Sequence, residues 1–157
     1  MLRVREAGAG DGVILHRFIL ELAEYEKLAH CVVATAEDVE TRLTATNARL
    51  FGLIAEDEGV PIGMALYFYN FSTFRGRHGI YIEDLYVQPH ARGTGAGKLL
   101  LQALGTIAKE NDCARIEWWV LDWNAPAIGF YEKLGAVAMD EWTVYRLEGE
   151  ALDGLVS

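Results

Sequence analysis

Residues 80–98 read Ile80-Tyr81-Ile82-Glu83-Asp84-Leu85-Tyr86-Val87-Gln88-Pro89-His90-Ala91-Arg92-Gly93-Thr94-Gly95-Ala96-Gly97-Lys98. Ile80–Val87 is a run of apolar, aromatic and β-branched residues, which reads as a strand. Pro89 stops it, and a glycine-rich turn runs from Arg92 to Gly97. Leu100, Ala103, Leu104, Ile107 and Ala108 then recur at helical spacing. The segment is therefore strand, loop, helix. Three glycines at alternate positions let backbone come close to a ligand. The helix that follows begins with unpaired N–H groups and a partial positive charge, to which Arg92 and Lys98 add formal charge. Residues 92–98 read either as a pyrophosphate cradle or as a flexible turn before a capped helix. They are not a P-loop: Gly97-Lys98 is followed by Leu99, and Arg92 stands where the first glycine belongs. The spacing also differs from the dinucleotide fingerprint G-x-G-x-x-G.

The second constellation lies in the strand itself. Glu83 and Asp84 interrupt an apolar run, and adjacent strand residues point to opposite faces. One carboxylate must then face inward or into a cleft, where acids are rare unless partnered or functional. A structural carboxylate bonded to a loop is the competing reading, and it suits Asp84 better than Glu83.

Working outward, Leu2–Glu6 alternates like a short strand, and Asp11–Lys27 is an amphipathic helix on Ile14, Phe18, Leu22 and Tyr25. Thr35 caps a second helix that runs to about Thr46. Leu50–Ala55 and Val60–Phe71 flank the hairpin signal Glu56-Asp57-Glu58-Gly59. Downstream, Arg115–Leu121 is a strand, Asn124 caps a helix ending at Leu134-Gly135, and Trp142–Leu147 closes as a strand. The order β-α-α-β-β-β-α-β-α-β, hairpins first and a β-α-β unit later, predicts a mixed sheet in an α/β fold.

At 157 residues the chain is long enough for one domain with its own core, and 52% hydrophobic residues exclude a disordered chain. Fourteen basic against 23 acidic residues give a net charge of −9, which disfavours nucleic acid and suits a cationic partner. Two cysteines, Cys31 and Cys113, and scattered histidines give neither a disulfide scaffold nor metal-ligand spacing. No apolar run is long enough to span a membrane, and the first residues show no apolar secretory core, so the expectation is a cytoplasmic protein without metal.

The third constellation is Asn124-Ala125-Pro126-Ala127-Ile128-Gly129-Phe130-Tyr131. Alone, Asn124 is a helix cap and Tyr131 a core aromatic. Strand, R-x-x-G-x-G, strand and N-x-x-x-x-x-F-Y together resemble the GNAT superfamily of acyl-CoA-dependent N-acetyltransferases. Tyr81–Val87, Glu21–Glu26 and Val120–Asn124 resemble its diamine branch, the spermidine/spermine and thialysine acetyltransferases, and Tyr69–Phe74 looks most like the thialysine type.

The resemblance covers nearly the whole chain. It implies a single N-acetyltransferase domain over residues 1–157, with a mixed, mostly antiparallel sheet of about six to seven strands flanked by about four helices. It implies acetyl-CoA as co-substrate, a small cationic amine as acceptor, and a homodimer. Leu85, Tyr86 and Val87 would bind pantetheine through their backbones. Arg92, Gly93, Thr94, Gly95, Ala96, Gly97 and Lys98 would hold the pyrophosphate, and Asn124, Ala125, Pro126 and Ala127 the cofactor's other side. Tyr131 matches the family's proton donor, Glu83 is the candidate base, and Tyr25, Glu26, Glu83 and Asp84 would line the amine site. The chain departs from the family in carrying His90-Ala91, without the frequent aromatic, before Arg92. Its segment between Ala136 and Trp142 is shorter than in the animal polyamine enzymes, so Asp140 and Glu141 take no role by resemblance. A protein-lysine or N-terminal acetyltransferase, and an acyl-CoA sensor without turnover, are the alternatives.

Overall fold

The computed structural model describes residues 1–156. The chain divides after Trp119 into two compact units. The first carries β1 (Leu2–Glu6), α1 (Gly12–Tyr25), α2 (Ala36–Leu43), β2 (Phe51–Asp57), β3 (Val60–Ser72), β4 (Arg77–Val87), α3 (Ala96–Glu110) and β5 (Ile116–Trp118). The strands form one sheet in the order β1-β2-β3-β4-β5. The first four are antiparallel neighbours, and β5 lies parallel to β4, as the α3 crossover between them requires.

Two apolar clusters flank this sheet. On one face Ala65, Tyr67, Ile80 and Ile82 pack with Ala96, Leu100, Leu104 and Ala108 of α3. On the other Ile54, Met64, Leu66 and Tyr86 pack with Leu15 and Phe18 of α1 and Val39 of α2. Thr35 caps α2 with a capping box: its hydroxyl accepts from the Asp38 N–H, and the Asp38 carboxylate accepts from the Thr35 N–H.

The second unit contains α4 (Ala125–Lys133) and α5 (Gly149–Asp153). Asn124 caps α4, its side chain accepting from the Ala127 N–H at 3.4 Å. α4 ends in a Schellman closure: the Gly135 N–H donates to Glu132 O, and the Ala136 N–H to Tyr131 O.

Six expectations are corrected. The described residues hold five strands, where six to seven were expected, and five α-helices, where about four were. Arg115–Leu121 contracts to the three residues of β5. Trp142–Leu147 forms no strand; its alternation names two faces, but a strand exists only with a ladder partner. α2 stops at Leu43, three residues short of Thr46, where the Thr44 hydroxyl takes the Glu40 carbonyl and closes the last turn. Glu56, read as part of the turn, lies in β2, is 4% exposed, and is held by Arg3 and Arg5.

Candidate active site

β4 contains a bulge at Glu83. Leu66 of β3 lies across from Asp84 and Tyr67 across from Ile82, so Glu83 has no partner in the ladder. The extra residue resets the alternation. Ile80 and Ile82 face α3 before the bulge, and Leu85 and Val87 face it afterwards. Asp84 and Tyr86 consequently share the α1 face of the sheet, on which Tyr86 packs with Phe18 at 5.8 Å between ring centroids. Simple alternation would have sent Asp84 to the α3 side.

Of the two carboxylates, Glu83 is exposed and Asp84 partly enclosed. Burial, then the neighbouring charges of Glu83 and Glu26, push the Asp84 carboxyl up to about 7. Glu26, at the end of α1, is half-buried and is itself pushed up by burial. Glu26, Glu83 and Asp84 therefore belong to one electrostatic neighbourhood.

Tyr25 lies against Arg92. The Arg92 guanidinium carbon lies 4.9 Å from the Tyr25 ring centroid and 6.0 Å from that of Tyr86. Its Nε donates to the Val87 carbonyl at 3.1 Å. Arg92 thus ties the end of α1 to the end of β4, and Tyr25 supports the loop through a cation–π contact.

The loop has the form of an anion cradle. Gly93 and Gly95 hold φ of +80° and +96°, a conformation open to glycine at little cost. Gly95 is the residue before α3, so the N–H groups of Ala96, Gly97 and Lys98 precede the first intrahelical bond, Leu99 N–H to Gly95 O at 2.9 Å. Nothing lies within 4 Å of where a Cβ would stand on Gly93 or Gly95. Thr94 closes the turn by donating to the Ala91 carbonyl. Ala91, where the family often has an aromatic, is buried against the α3 cluster.

Leu85–Val87 present backbone beside this loop, and a network absent from the sequence reading fixes the strand from behind. The Tyr86 hydroxyl donates to Glu21 at 2.8 Å, Gln88 donates to the same carboxylate at 3.3 Å, and Arg17 pairs with it at 3.6 Å. Within α1, Arg17 and Glu21 read only as a surface pair four residues apart; the partners of Glu21, Tyr86 on β4 and Gln88 just beyond it, are 65 and 67 positions away.

In the second unit Tyr131 is half-buried on α4, its ring 5.7 Å from Phe130. Asn124 is buried at the cap, with Ala125, Pro126 and Ala127 forming the first turn. Among the described residues no group of three His, Cys, Asp or Glu side chains could hold a metal, and no helix is long and apolar enough to cross a membrane.

Residues 18–136 match the Acetyltransferase (GNAT) family. The chain is 36% identical to thialysine N-epsilon-acetyltransferase of Bos taurus, over 95% of this chain and 94% of that protein. It is 30% identical to an L-ornithine N5-acetyltransferase of Arabidopsis thaliana, over 98% of this chain and 87% of the relative. An integron cassette protein from the mobile metagenome of V. cholerae superposes with a TM-score of 0.83 at 26% identity, covering 99% and 97% of the two chains. The bulged strand, its paired carboxylates and the glycine loop are thus carried by a chain that belongs to the GNAT family, as an N-acetyltransferase near the diamine branch.

Proposed function

We propose that residues 1–157 act as one domain that transfers the acetyl group of acetyl-CoA to a primary amine of a small cationic acceptor, a polyamine, diamine or lysine-like amino acid. The observation that carries this reading is the carboxylate pair at the β4 bulge, three residues before the strand end that leads into the glycine loop. Acetyl-CoA supplies the thioester carbonyl and a thiolate leaving group. Leu85–Val87 offer it strand backbone, the 92–98 loop its anion cradle, and Asn124–Ala127 the start of α4.

The amine must lose a proton before it attacks. Passing that proton from an alkyl ammonium to an ordinary aspartate is uphill by about 9 kcal/mol, from the gap between 10.4 and 3.9. Asp84 at about 7 reduces the gap to roughly 5 kcal/mol. Glu83, exposed at the bulge, meets the ammonium and serves as base, with the carboxylate of Asp84 beside it. Glu26 adds negative charge for a second ammonium. Tyr131 holds the place of the family's proton donor.

Two further readings complete the proposal: by resemblance the enzyme is a homodimer, and its two free cysteines, Cys31 and Cys113, suit work in the reducing cytoplasm. Exposed Trp142, Val144, Tyr145 and Leu147 suit a buried subunit contact; a monomer by light scattering at micromolar concentration overturns the dimer.

The deciding experiment follows thiol release from acetyl-CoA with a panel of amines. Release with free diamines or diamino acids is expected. Binding of acetyl-CoA without release for any amine identifies a sensor, and release only with lysine peptides identifies a protein acetyltransferase.

A further inference from the structure

The α1 face of the sheet continues past the two carboxylates. Leu66 and Phe68 leave the same face of β3; Leu66 lies across from Asp84 and Phe68 across from Tyr81, with the Phe68 and Tyr81 rings 5.0 Å apart. β2 pairs with β3 only as far as Phe51 opposite Tyr67, so beyond Tyr67 β2 no longer covers that edge. The chain from α2 into β2 crosses there instead. With the strand edge it borders an open surface cavity of about 920 Å³ whose apolar wall includes Leu50, Phe51, Phe68 and Tyr69 and whose cations, Arg42 and Arg49, are exposed.

These arginines stand apart from most others in the chain. Arg3, Arg5, Arg17, Arg77 and Arg115 are each ion-paired. Arg42 and Arg49 have no hydrogen bond or ion pair within contact distance among the described residues, and Asp38 acts on Arg42 only through space. Two open guanidinium groups on one cavity, in a chain of net charge −9, form a local reversal of sign. They do not belong to the cofactor cradle. That loop begins beyond Val87, six residues along β4 from Tyr81, or about 20 Å of strand.

We propose that this cavity is a carboxylate subsite, in which Arg42 and Arg49 bind the α-carboxylate of a diamino acid whose distal amine lies at Glu83 and Asp84. The inference rests on the acetyl-transfer reading above and narrows its acceptor. Two residues of β3, about 7 Å, separate Leu66, opposite the acids, from Phe68 on the cavity wall. Six extended single bonds cover that length at backbone dimensions. The Phe68 and Tyr81 rings supply an apolar track for the methylenes. Guanidinium groups favour carboxylate by planar, two-pronged hydrogen bonding. A polyamine would place a second ammonium against the same arginines, so the pair also selects by repulsion.

The test compares L-ornithine with putrescine, the same diamine without the carboxylate, in the wild-type protein and in the double variant Arg42→Gln/Arg49→Gln. In the wild type L-ornithine is preferred. In the variant the ratio of kcat/KM values, L-ornithine over putrescine, falls at least tenfold, through KM for L-ornithine. Arg42→Lys/Arg49→Lys restores part of that ratio, which a merely structural role would not give, and thermal melts establish that each variant is folded. If the double variant does not fold, the two single Gln variants carry the same comparison. An unchanged ratio in folded variants overturns the subsite and leaves acetyl transfer standing. Failure of the wild type to acetylate any amine, with acetyl-CoA bound, overturns both.

Discussion

Asp84 is where a single residue's environment has a measurable signature. Burial and two neighbouring carboxylates hold its proton up to about pH 7, whereas an unfolded aspartate releases it near 3.9. Folding therefore takes up a proton across that window, and stability contributed at this site falls as pH rises from about 4 to 7. Asn in its place carries no charge to bury. Asp84→Asn should melt above the wild type at pH 8, with the difference closing towards pH 4. In catalysis the sign is opposite: the ionised Asp84 carboxylate is the useful form, so wild-type kcat/KM should rise through pH 7, and that limb should be lost in Asp84→Asn. A variant that keeps both profiles removes Asp84 from the base pair and leaves Glu83 alone in that role. Tyr131→Phe isolates a second residue, since it deletes one hydroxyl and keeps the ring beside Phe130. A general acid contributes typically about 10²–10⁴-fold, so kcat should fall by about two orders of magnitude while acetyl-CoA affinity by calorimetry stays within a few-fold. A near-normal kcat would return Tyr131 to a packing role.

At the scale of elements, β4 does most to place the site, and β3 sets how closely it can be approached. A Cβ on Gly63 of β3 would come within 2.6 Å of the Tyr86 carbonyl, which is backbone and cannot swing aside. Gly63→Ala should displace the strand end that leads to the cradle, raising KM for acetyl-CoA severalfold and lowering the melting temperature. Steady-state kinetics beside a thermal melt test it, and an unchanged KM would separate this stretch of β4 from cofactor binding. Local signals made much of this legible in advance: Thr35 three residues before Asp38, Asn124 before Pro126, Leu134-Gly135 at the end of α4, and the break at Pro89 each act within a few residues. Long-range effects were not legible. The bulge at Glu83 depends on register against Leu66 and Tyr67, and without it Asp84 would face the wrong helix. Glu21 meets Tyr86 across 65 positions. Trp142–Leu147 has the alternation of a strand but no ladder, and alternation alone does not supply one.

For the molecule as a whole, the excess of acid over base exceeds what the site itself uses. Glu26, Glu83 and Asp84 account for three of 23 acidic residues, against a net charge of −9. The remaining field acts on an acceptor before it arrives. A cation approaching a negative surface is concentrated and steered, and salt removes the effect as the screening length shrinks from about 30 Å at 0.01 M to about 8 Å at 0.15 M. The dependence should scale with acceptor charge. Between 10 and 300 mM NaCl, kcat/KM should fall more steeply for spermidine, with three ammonium groups, than for putrescine, with two, and more steeply for putrescine than for n-butylamine, with one. The fall should appear in KM, while kcat, set within the assembled complex, holds nearly constant. A loss of kcat of similar size for all three amines would instead mean that salt acts on the fold or on acetyl-CoA binding. Equal slopes without loss of kcat would mean that the net charge serves solubility alone, and that capture of the amine depends only on the carboxylates at the bulge.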